Sequence, residues 1–434
     1  MKIPNSRIVK NISWNVSGIA LAKVLTPFLT ILIARKVGPN VYGTFTLALM
    51  IVSSVDVIKD FGMSEAFLVT KNKNLDIKFY TYLTSQFLFS LLLVFVIILV
   101  TVFFYSSLGS GQVIIAVRYL SITILFKSIS EPLIIINQKK QKYSLLFFRT
   151  LIPSILNALI AYSLVLLGFE LNALIIAYIS SEFLLAIFFS LKSEIKLTFK
   201  LEYNIFINFF SFGKEVIIQR FFTGLILSKW DIYALGYGFS ETIIGLYRMA
   251  QNLMVTLPRA LIKEYNQVLY TEILEDRSIE KIKNLYKTYV LSSSIAIYLV
   301  AIIFNIYLEP VVDFLLGSKW LNAIDYIKSF SMILPFIPMK YFHLSISKMK
   351  GFYKKYTKLY MIYGLVFFII IYFLVMKMNP IYISIAYSFL DILFSIIMYF
   401  IFLKNQKHVR FLKIHILMYL VYFVTYIYLV INLL

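Results

Sequence analysis

Long uninterrupted runs of apolar residues recur along almost the whole chain. Each run is close to twenty residues long, the length that an α-helix needs to cross the hydrocarbon core of a bilayer. Transmembrane β-strands are shorter and alternate apolar with polar residues, so strands are not expected. The pattern predicts an all-α integral membrane protein with spans at about 14–34, 41–62, 79–105, 113–137, 145–168, 171–191, 205–228, 236–262, 286–307, 322–347, 357–377, 380–403 and 412–433.

The composition supports this interpretation and changes the meaning of the charge. Of the 434 residues, 60% are hydrophobic and 15% are charged, whereas roughly a quarter of the residues in soluble domains are charged. In a soluble protein the net charge of +21 would point to a nucleic-acid partner. Here the basic loops are short and carry no recognition fold, so no nucleic acid is expected as a partner.

Basic residues alternate between the predicted loops. The N-terminus and every second loop hold 26 of the 42 Lys and Arg residues, and the loops on the other side hold 5. Loops rich in Lys and Arg remain in the cytoplasm. The N-terminus is therefore predicted to be cytoplasmic, and most of the net charge reflects membrane topology.

Two junctions between predicted spans resemble each other. Each junction has a glycine that is followed closely by an aromatic residue. The two glycines, Gly43 and Gly245, are 202 positions apart. Parallel internal repeats of this kind are common in transporters. The sequence thus predicts two six-helix lobes, 1–198 and 199–405, related by a pseudo-two-fold axis along the membrane normal. The stretch 406–434 would add a thirteenth transmembrane helix.

The N-terminal motifs resemble those of the polysaccharide-biosynthesis transporters, the O-antigen-type flippases of the multidrug/oligosaccharidyl-lipid/polysaccharide exporter superfamily. That family shows Ala-Arg-x-Leu-Gly-Pro-x-x-Tyr-Gly followed by Asp-Phe-Gly. Val37 stands here where the family usually has Leu. The matching residues are Asn15, Pro27, Ala34-Arg35-Lys36-Val37-Gly38-Pro39, Tyr42-Gly43 and Asp60-Phe61-Gly62-Met63-Ser64.

The resemblance implies a non-enzymatic function without a cofactor. It implies translocation of a polyprenyl-pyrophosphate-linked oligosaccharide, such as an O-antigen or other surface polysaccharide repeat unit, across the inner (plasma) membrane. The mechanism would be alternating access between the two lobes, driven by an ion gradient. Partners would be membrane lipids and, in the same pathway, a polysaccharide polymerase and chain-length machinery.

Five basic residues lie deep within predicted spans, and each would cost roughly 2.5–3.5 kcal/mol if it faced lipid at the bilayer centre. They must therefore contact acids or water. Lys127 has Glu131 four residues later, and Lys214 has Glu215 beside it. Local ion pairs are therefore one way to compensate these charges, and a hydrated cavity lined by cations is the other. The five are Lys23, Lys127, Lys214, Arg220 and Arg248.

A cation-lined cavity would suit a pyrophosphate, because Lys and Arg form charge-assisted hydrogen bonds with phosphate oxygens. In the eighth span, α-helical spacing places Arg248, Asn252 and Arg259 on one face, with Gln251 beside it. The predicted site for pyrophosphate and sugar consists of Lys23, Lys127, Lys214, Arg220, Arg248, Gln251, Asn252 and Arg259. No metal site is predicted.

Two acids lie at mid-depth in equivalent spans of the two halves, Glu182 in the sixth and Asp391 in the twelfth. A lone buried carboxylate tends to take up a proton, which makes both candidates for ion coupling; a neutral acid hydrogen-bonded between helices is equally compatible. Lys59 is interpreted as an interfacial residue near the cytoplasm, flanked by Asp56 and Asp60 as a structural pair.

Other functions are compatible with a polytopic chain. A multidrug antiporter of the same superfamily would need acids and aromatics for organic cations, and the excess of deep Lys and Arg argues against it. A polysaccharide polymerase would need a large outer loop with catalytic groups, whereas the longest predicted outer loops are about a dozen residues. An ATP-driven exporter would need a phosphate-binding Gly-rich loop with Lys-Ser/Thr, which the sequence lacks.

Overall fold

The chain is almost entirely helical in the computed structural model. The structure describes residues 6–70, 74–103, 110–140, 142–195, 197–220, 227–275, 278–349, 351–377 and 379–403, with Leu417 and Leu420. No strand occurs among these residues. Side chains are described from Thr26 onward, except at scattered positions that include 214–220.

The helices follow the predicted spans closely. They are α1 Ser6–Lys59, α2 Met63–Val69, α3 Leu75–Phe103, α4 Gly111–Lys139, α5 Tyr143–Leu146, α6 Phe148–Leu166, α7 Glu170–Lys192, α8 Tyr203–Arg220, α9 Leu227–Gly238, α10 Glu241–Gln251, α11 Leu257–Glu275, α12 Ile279–Leu285, α13 Ser292–Ile306, α14 Leu308–Leu316, α15 Ile324–Ser331, α16 Ile337–Met349, α17 Tyr353–Lys377 and α18 Ile381–Leu403. In the described part, seven helices are long and apolar enough to cross a membrane. The predicted thirteenth span, 412–433, lies almost wholly outside the described residues, so the count of twelve plus one remains a prediction, as does the cytoplasmic N-terminus.

The helices are interrupted at residues that cannot continue regular geometry. The first two predicted spans form one long element, α1, which is broken where Gly38 adopts φ 78° and ψ 173°. Pro39 follows directly. In the tenth predicted span, a 3₁₀ turn at Leu334–Phe336 separates α15 from α16, where Pro335 cannot donate a helical hydrogen bond.

The chain forms two compact units, Met1–Ile244 (unit 1) and Gly245–Leu434 (unit 2). This division lies later than the predicted lobe boundary at 198/199, because α9 packs on α1: Tyr233 donates to the Met50 carbonyl at 2.8 Å and Lys229 donates to Ser53 at 2.9 Å. Also within unit 1, the Asn40 amide donates to the Thr242 hydroxyl at 3.2 Å. Asn40 and Thr242 are separated by the predicted repeat offset of 202. The two-lobe duplication itself remains a prediction.

The Asp-Phe-Gly motif of unit 1 forms the turn between α1 and α2. Phe61 and Gly62 both have positive φ, 46° and 69°, which lets the chain reverse within two residues. The Asp60 carboxylate accepts hydrogen bonds from the Ser64 backbone N–H at 3.2 Å and the Ser64 hydroxyl at 2.7 Å, and so satisfies the start of α2. Gly213 of α8 packs directly on the Phe61 carbonyl. The motif therefore fixes this turn.

In unit 2, α15 and α18 pack through small hydroxyl side chains. The Ser329 hydroxyl donates to Ser384 at 2.6 Å, and the Ser388 hydroxyl donates to the Ser329 carbonyl at 2.8 Å. Small polar residues let transmembrane helices approach closely. The opposite side of α18 exposes large apolar residues, Phe389 and Leu393 among them, as expected for a face in contact with lipid. This arrangement turns Asp391 inward.

Candidate functional site

Unit 1 contains a buried network of charged side chains from three helices. Lys59 of α1 is fully buried, and its ammonium lies 2.8 Å from Asp56 and 2.9 Å from Glu131 of α4. Lys127 of α4 contacts the other oxygen of Asp56 at 3.1 Å and Glu182 of α7 at 3.9 Å. The network holds three carboxylates and two ammonium groups. Fully ionised, it carries one excess negative charge.

The network lies on the inward side of α4. Ile115, Tyr119 and Ile122 are exposed along one face of this helix, as expected for a lipid-facing surface. Glu131 follows Ile122 by nine residues, or about 900° of rotation at 3.6 residues per turn, which places it on the opposite face. The Glu131 side chain is nevertheless 41% exposed. Its side chain therefore combines an ion pair with Lys59 and an exposed surface on the side of α4 away from the exposed apolar face.

Unit 2 contains a second buried cluster in which two cations share one carboxylate. Arg259 of α11 lies 2.9 Å from Asp391 of α18, and Lys340 of α16 lies 2.5 Å from the same oxygen. Arg259 also donates to the Tyr387 hydroxyl at 3.0 Å. The Lys340 ammonium lies 5.9 Å from the ring centre of Tyr363, within range of a cation–π interaction. Fully ionised, this cluster carries one excess positive charge.

The two clusters share a common plan. In α7, Ile176-Ala177-Tyr178 is followed four positions after Tyr178 by Glu182; in α18, Ile385-Ala386-Tyr387 is followed four positions after Tyr387 by Asp391. Tyr178 accepts a hydrogen bond from Lys127 at 3.2 Å, just as Tyr387 accepts one from Arg259. In each unit, a tyrosine and an acid that lie one turn apart on the same helix thus contact basic side chains of neighbouring helices.

The structure brings some of the predicted site residues into the two charged clusters and places others elsewhere. Lys127 and Glu182 belong to the unit 1 network, and Arg259 and Asp391 to the unit 2 cluster. The Arg248 guanidinium donates to Gln251 at 2.6 Å. Lys23 lies in α1 and Lys214 and Arg220 lie in α8, with side chains outside the described residues; their role remains a prediction.

The predicted polar face of the eighth span is interrupted. A π-helical turn at Asn252–Thr256 separates α10 from α11, and such a turn inserts about one residue into the helical repeat. The α-helical spacing that would place Arg248, Asn252 and Arg259 on one face therefore does not extend across it. The turn lies immediately before the helix that presents Arg259 to Asp391.

Three interpretations drawn from local sequence need correction. Lys127 pairs with Asp56 and Glu182, while Glu131 pairs with Lys59, because neighbouring helices bring these groups closer than the i+4 spacing does. Lys59 does not extend to water, because its side chain is fully buried in the network; its predicted contact with Asp56 is present, and its depth in the membrane stays a prediction. Asp391 is not a lone carboxylate, since two cations contact it.

Lys340 is a site residue that sequence reasoning missed. It is one of eleven basic residues within predicted spans, and nothing in its neighbouring sequence marks it. The repeated Ile-Ala-Tyr-x-x-x-acid pattern was the available signal, because it predicts that both acids have equivalent surroundings.

Comparison with known proteins identifies the family and the fold. A family model described as "Polysaccharide biosynthesis protein" matches residues 32–325, more than half of the chain. No curated protein sequence matches the chain significantly.

Several solved structures share the fold at low sequence identity. The lipid II flippase MurJ in an inward closed conformation is 18% identical, with a TM-score of 0.75 over 95% of this chain and 92% of that chain. An inward-facing multidrug resistance MATE family transporter of the MOP superfamily is 14% identical, with a TM-score of 0.65 over 90% of this chain and 99% of that chain. A MOP superfamily transporter from Pyrococcus furiosus is also 14% identical, with a TM-score of 0.58 over 93% of this chain and 96% of that chain.

These neighbours are transporters and a flippase rather than catalytic enzymes. The chain therefore has the fold of the flippases and transporters of this superfamily and belongs to the polysaccharide biosynthesis protein family.

Proposed function

We propose that this protein flips a polyprenyl-pyrophosphate-linked oligosaccharide from the cytoplasmic to the outer face of the inner membrane by alternating access. The unit 2 cluster carries the proposal. Among the side chains that the structure describes, Arg259 and Lys340 share Asp391 as their acid, so one positive charge of the cluster lacks a described acid. An anionic ligand would stabilise this charge, and guanidinium and ammonium groups suit phosphate oxygens.

The family and the fold support the same cargo class. The family model concerns polysaccharide biosynthesis, and the structural neighbour MurJ is a lipid II flippase. The cargo would be the repeat unit of a surface polysaccharide such as O-antigen. A polymerase and chain-length machinery would act on it after translocation. The predicted residues Lys23, Lys214, Arg220 and Arg248 are proposed as further contacts of the cargo.

We assign ion coupling to Glu182 rather than to Asp391. Glu182 belongs to a network with more acids than cations, and its distance of 3.9 Å from Lys127 is the longest of the contacts there. An incoming proton or sodium ion would neutralise the excess charge of that network. Asp391 is already compensated by two cations, so protonation would leave both without their acid.

A multidrug antiporter is the second candidate, and the unit 1 network favours it. Its excess acid and the 41% exposed Glu131 would attract an organic cation, and MATE transporters share the fold.

The two candidate functions, flippase and multidrug antiporter, predict different results in cells. A flippase predicts that deletion of the gene makes a lipid-linked oligosaccharide accumulate in the inner leaflet, and that Arg220→Ala and Arg248→Ala reduce surface polysaccharide at normal protein levels. An antiporter predicts normal polysaccharide and greater sensitivity to cationic dyes.

A further inference from the structure

Unit 1 contains a cavity beside the charge network. Its volume is about 200 Å³, and it lies between the two halves of α1, the first part of α6 and the middle of α7. Most of its surface is apolar, and none of the lining residues that the structure describes is charged. Hydroxyl and amide groups line it together with aromatic and small apolar residues; the polar ones are Thr26, Thr30, Tyr42, Ser154, Asn157, Tyr178 and Ser181.

The hydroxyl groups of this cavity have free acceptor capacity. Thr30, Ser154 and Ser181 each donate their proton to a backbone carbonyl of their own helix, at 2.7, 2.8 and 2.8 Å. A hydroxyl has one donor and two lone pairs, so these oxygens can accept bonds from a ligand. The Asn157 amide makes no hydrogen bond to any residue that the structure describes. It offers both a donor and an acceptor.

The size of the cavity restricts the ligand. Ala158 and Ala161 of α6 are small side chains in its lining, and Leu174 belongs to the same apolar cluster as both. Phe45 and Tyr178 contribute aromatic rings, with their centres 6.3 Å apart. The volume of about 200 Å³ has room for one sugar ring, and the cavity is only half enclosed, so the rest of a ligand can extend out of it.

Tyr178 connects the cavity to the charge network. Its side chain lines the cavity, and its hydroxyl accepts a hydrogen bond from Lys127 at 3.2 Å. Lys127 in turn contacts Asp56 and Glu182. A ligand that displaces Tyr178 would therefore alter the contacts of Lys127, which partly compensates the carboxylate charge of the network.

We propose that this cavity is a subsite for one uncharged sugar ring of the cargo, held by Asn157 and the α6 and α7 hydroxyls, with Tyr178 reporting its occupancy to the charge network. The inference rests on the proposed flippase function and adds a sugar-recognition site distinct from the phosphate-binding cations. A neutral, hydroxyl-rich ring matches the lining because the described residues offer hydroxyl, amide and aromatic groups and no charge for a phosphate.

The test uses the full-length purified protein and a panel of lipid probes. The probes are bare polyprenyl pyrophosphate and polyprenyl pyrophosphates that carry a single hexose or N-acetylhexosamine, and dissociation constants are measured in detergent. Ser154→Leu fills the cavity. Ser163→Leu is the matched control, because Ser163 is exposed on the same helix and nine residues, or about half a turn of net rotation, separate the two positions. Asn157→Leu removes the amide while keeping similar bulk.

The expected result is that the wild type binds at least one glycosylated probe about tenfold more tightly than the bare lipid, as one or two net hydrogen bonds would give. Ser154→Leu and Asn157→Leu should lose this preference and bind the bare lipid as the wild type does, while Ser163→Leu keeps the preference. Retention of the preference in both cavity variants overturns the subsite. A wild type that binds the bare lipid without any sugar preference also overturns the subsite but leaves the flippase proposal intact. A wild type that binds no probe overturns both.

Discussion

Lys127 and Asp56 form an ion pair between residues 71 positions apart, with the lysine ammonium of α4 lying 3.1 Å from the aspartate carboxylate of α1. The pair joins two membrane-embedded helices, and Asp56 extends it to the fully buried Lys59. The compensation of each charge thus depends on helices that are distant in sequence. Loss of one partner would leave an uncompensated charge in a low-dielectric environment.

Replacement of Lys127 by Met should destabilise the protein by about 3–5 kcal/mol, because three carboxylates would then face a single ammonium group. The measurement is the thermal unfolding midpoint in detergent. Lys192→Met, at the exposed end of α7, is the matched control and should leave the midpoint unchanged. The double variant Lys127→Met/Asp56→Asn should recover at least half of the loss, since contacting residues are energetically coupled. An unchanged midpoint in Lys127→Met would show that the network does not stabilise the fold.

In unit 2, the acid and the cations should respond differently to replacement. Asp391→Asn leaves Arg259 and Lys340 without their shared carboxylate and should lower stability by about 3–5 kcal/mol.

Lys340→Met leaves a neutral Arg259–Asp391 pair, so the protein should fold normally but lose the excess positive charge. We expect at least a tenfold loss of surface polysaccharide, measured at matched protein levels.

Lys319→Met, an exposed lysine of the same unit, should retain full export and serves as the control. Normal export by Lys340→Met would remove the unit 2 cluster from the proposed phosphate path.

Gly213 should tolerate no side chain. A Cβ atom at this position would lie 1.7 Å from the Phe61 carbonyl oxygen, a backbone atom held in the turn between α1 and α2. Gly213→Ala therefore forces α8 away from the turn and should cost at least about 1–3 kcal/mol, as other overpacked sites do. Gly236→Ala is the comparison, because its Cβ would meet only the flexible end of Leu47 at 2.8 Å. Equal unfolding midpoints for the two variants would contradict this packing.

The predicted orientation can be tested by cysteine labelling, because the natural chain has no cysteine. Asn40 and Lys140 are both exposed and lie in loops predicted on opposite sides of the membrane. A membrane-impermeant maleimide should label Asn40→Cys in intact spheroplasts, and Lys140→Cys only after lysis. The reverse pattern would invert the topology inferred from the distribution of Lys and Arg.

Much of the helical architecture could be predicted from hydrophobic runs and helix-breaking residues. The break at Gly38 and the interruption at Pro335 lie where local chemistry disfavours a continuous helix. The π-helical turn at Asn252–Thr256 has no such local signal, since it depends on how the surrounding helices pack. Interpretation of the eighth span as one regular helix therefore placed Arg248 and Arg259 in the wrong relative register.

Hydropathy identified Lys127 as a charge that needs a partner or water, because polar groups are costly in lipid. It contains no information on which helices are neighbours, so Lys340 was not associated with Asp391. For the same reason Glu182 and Asp391 were interpreted as lone carboxylates, whereas Lys127 contacts Glu182 and two cations contact Asp391. The tyrosine that precedes each acid by four residues indicates that the two acids have similar surroundings, and this is evident only once the contacts are known. The roles of the site residues stay predictions.

The most direct test of the central claim is translocation by the purified protein in proteoliposomes. A fluorescent polyprenyl pyrophosphate bearing one sugar is placed in both leaflets, and the fraction that a membrane-impermeant quencher can reach is followed over time. The wild type should make the whole pool accessible, whereas Lys340→Met and empty liposomes should leave about half of it protected. No translocation by the wild type, together with proton- or sodium-driven export of a cationic dye, would contradict the flippase and identify a multidrug antiporter.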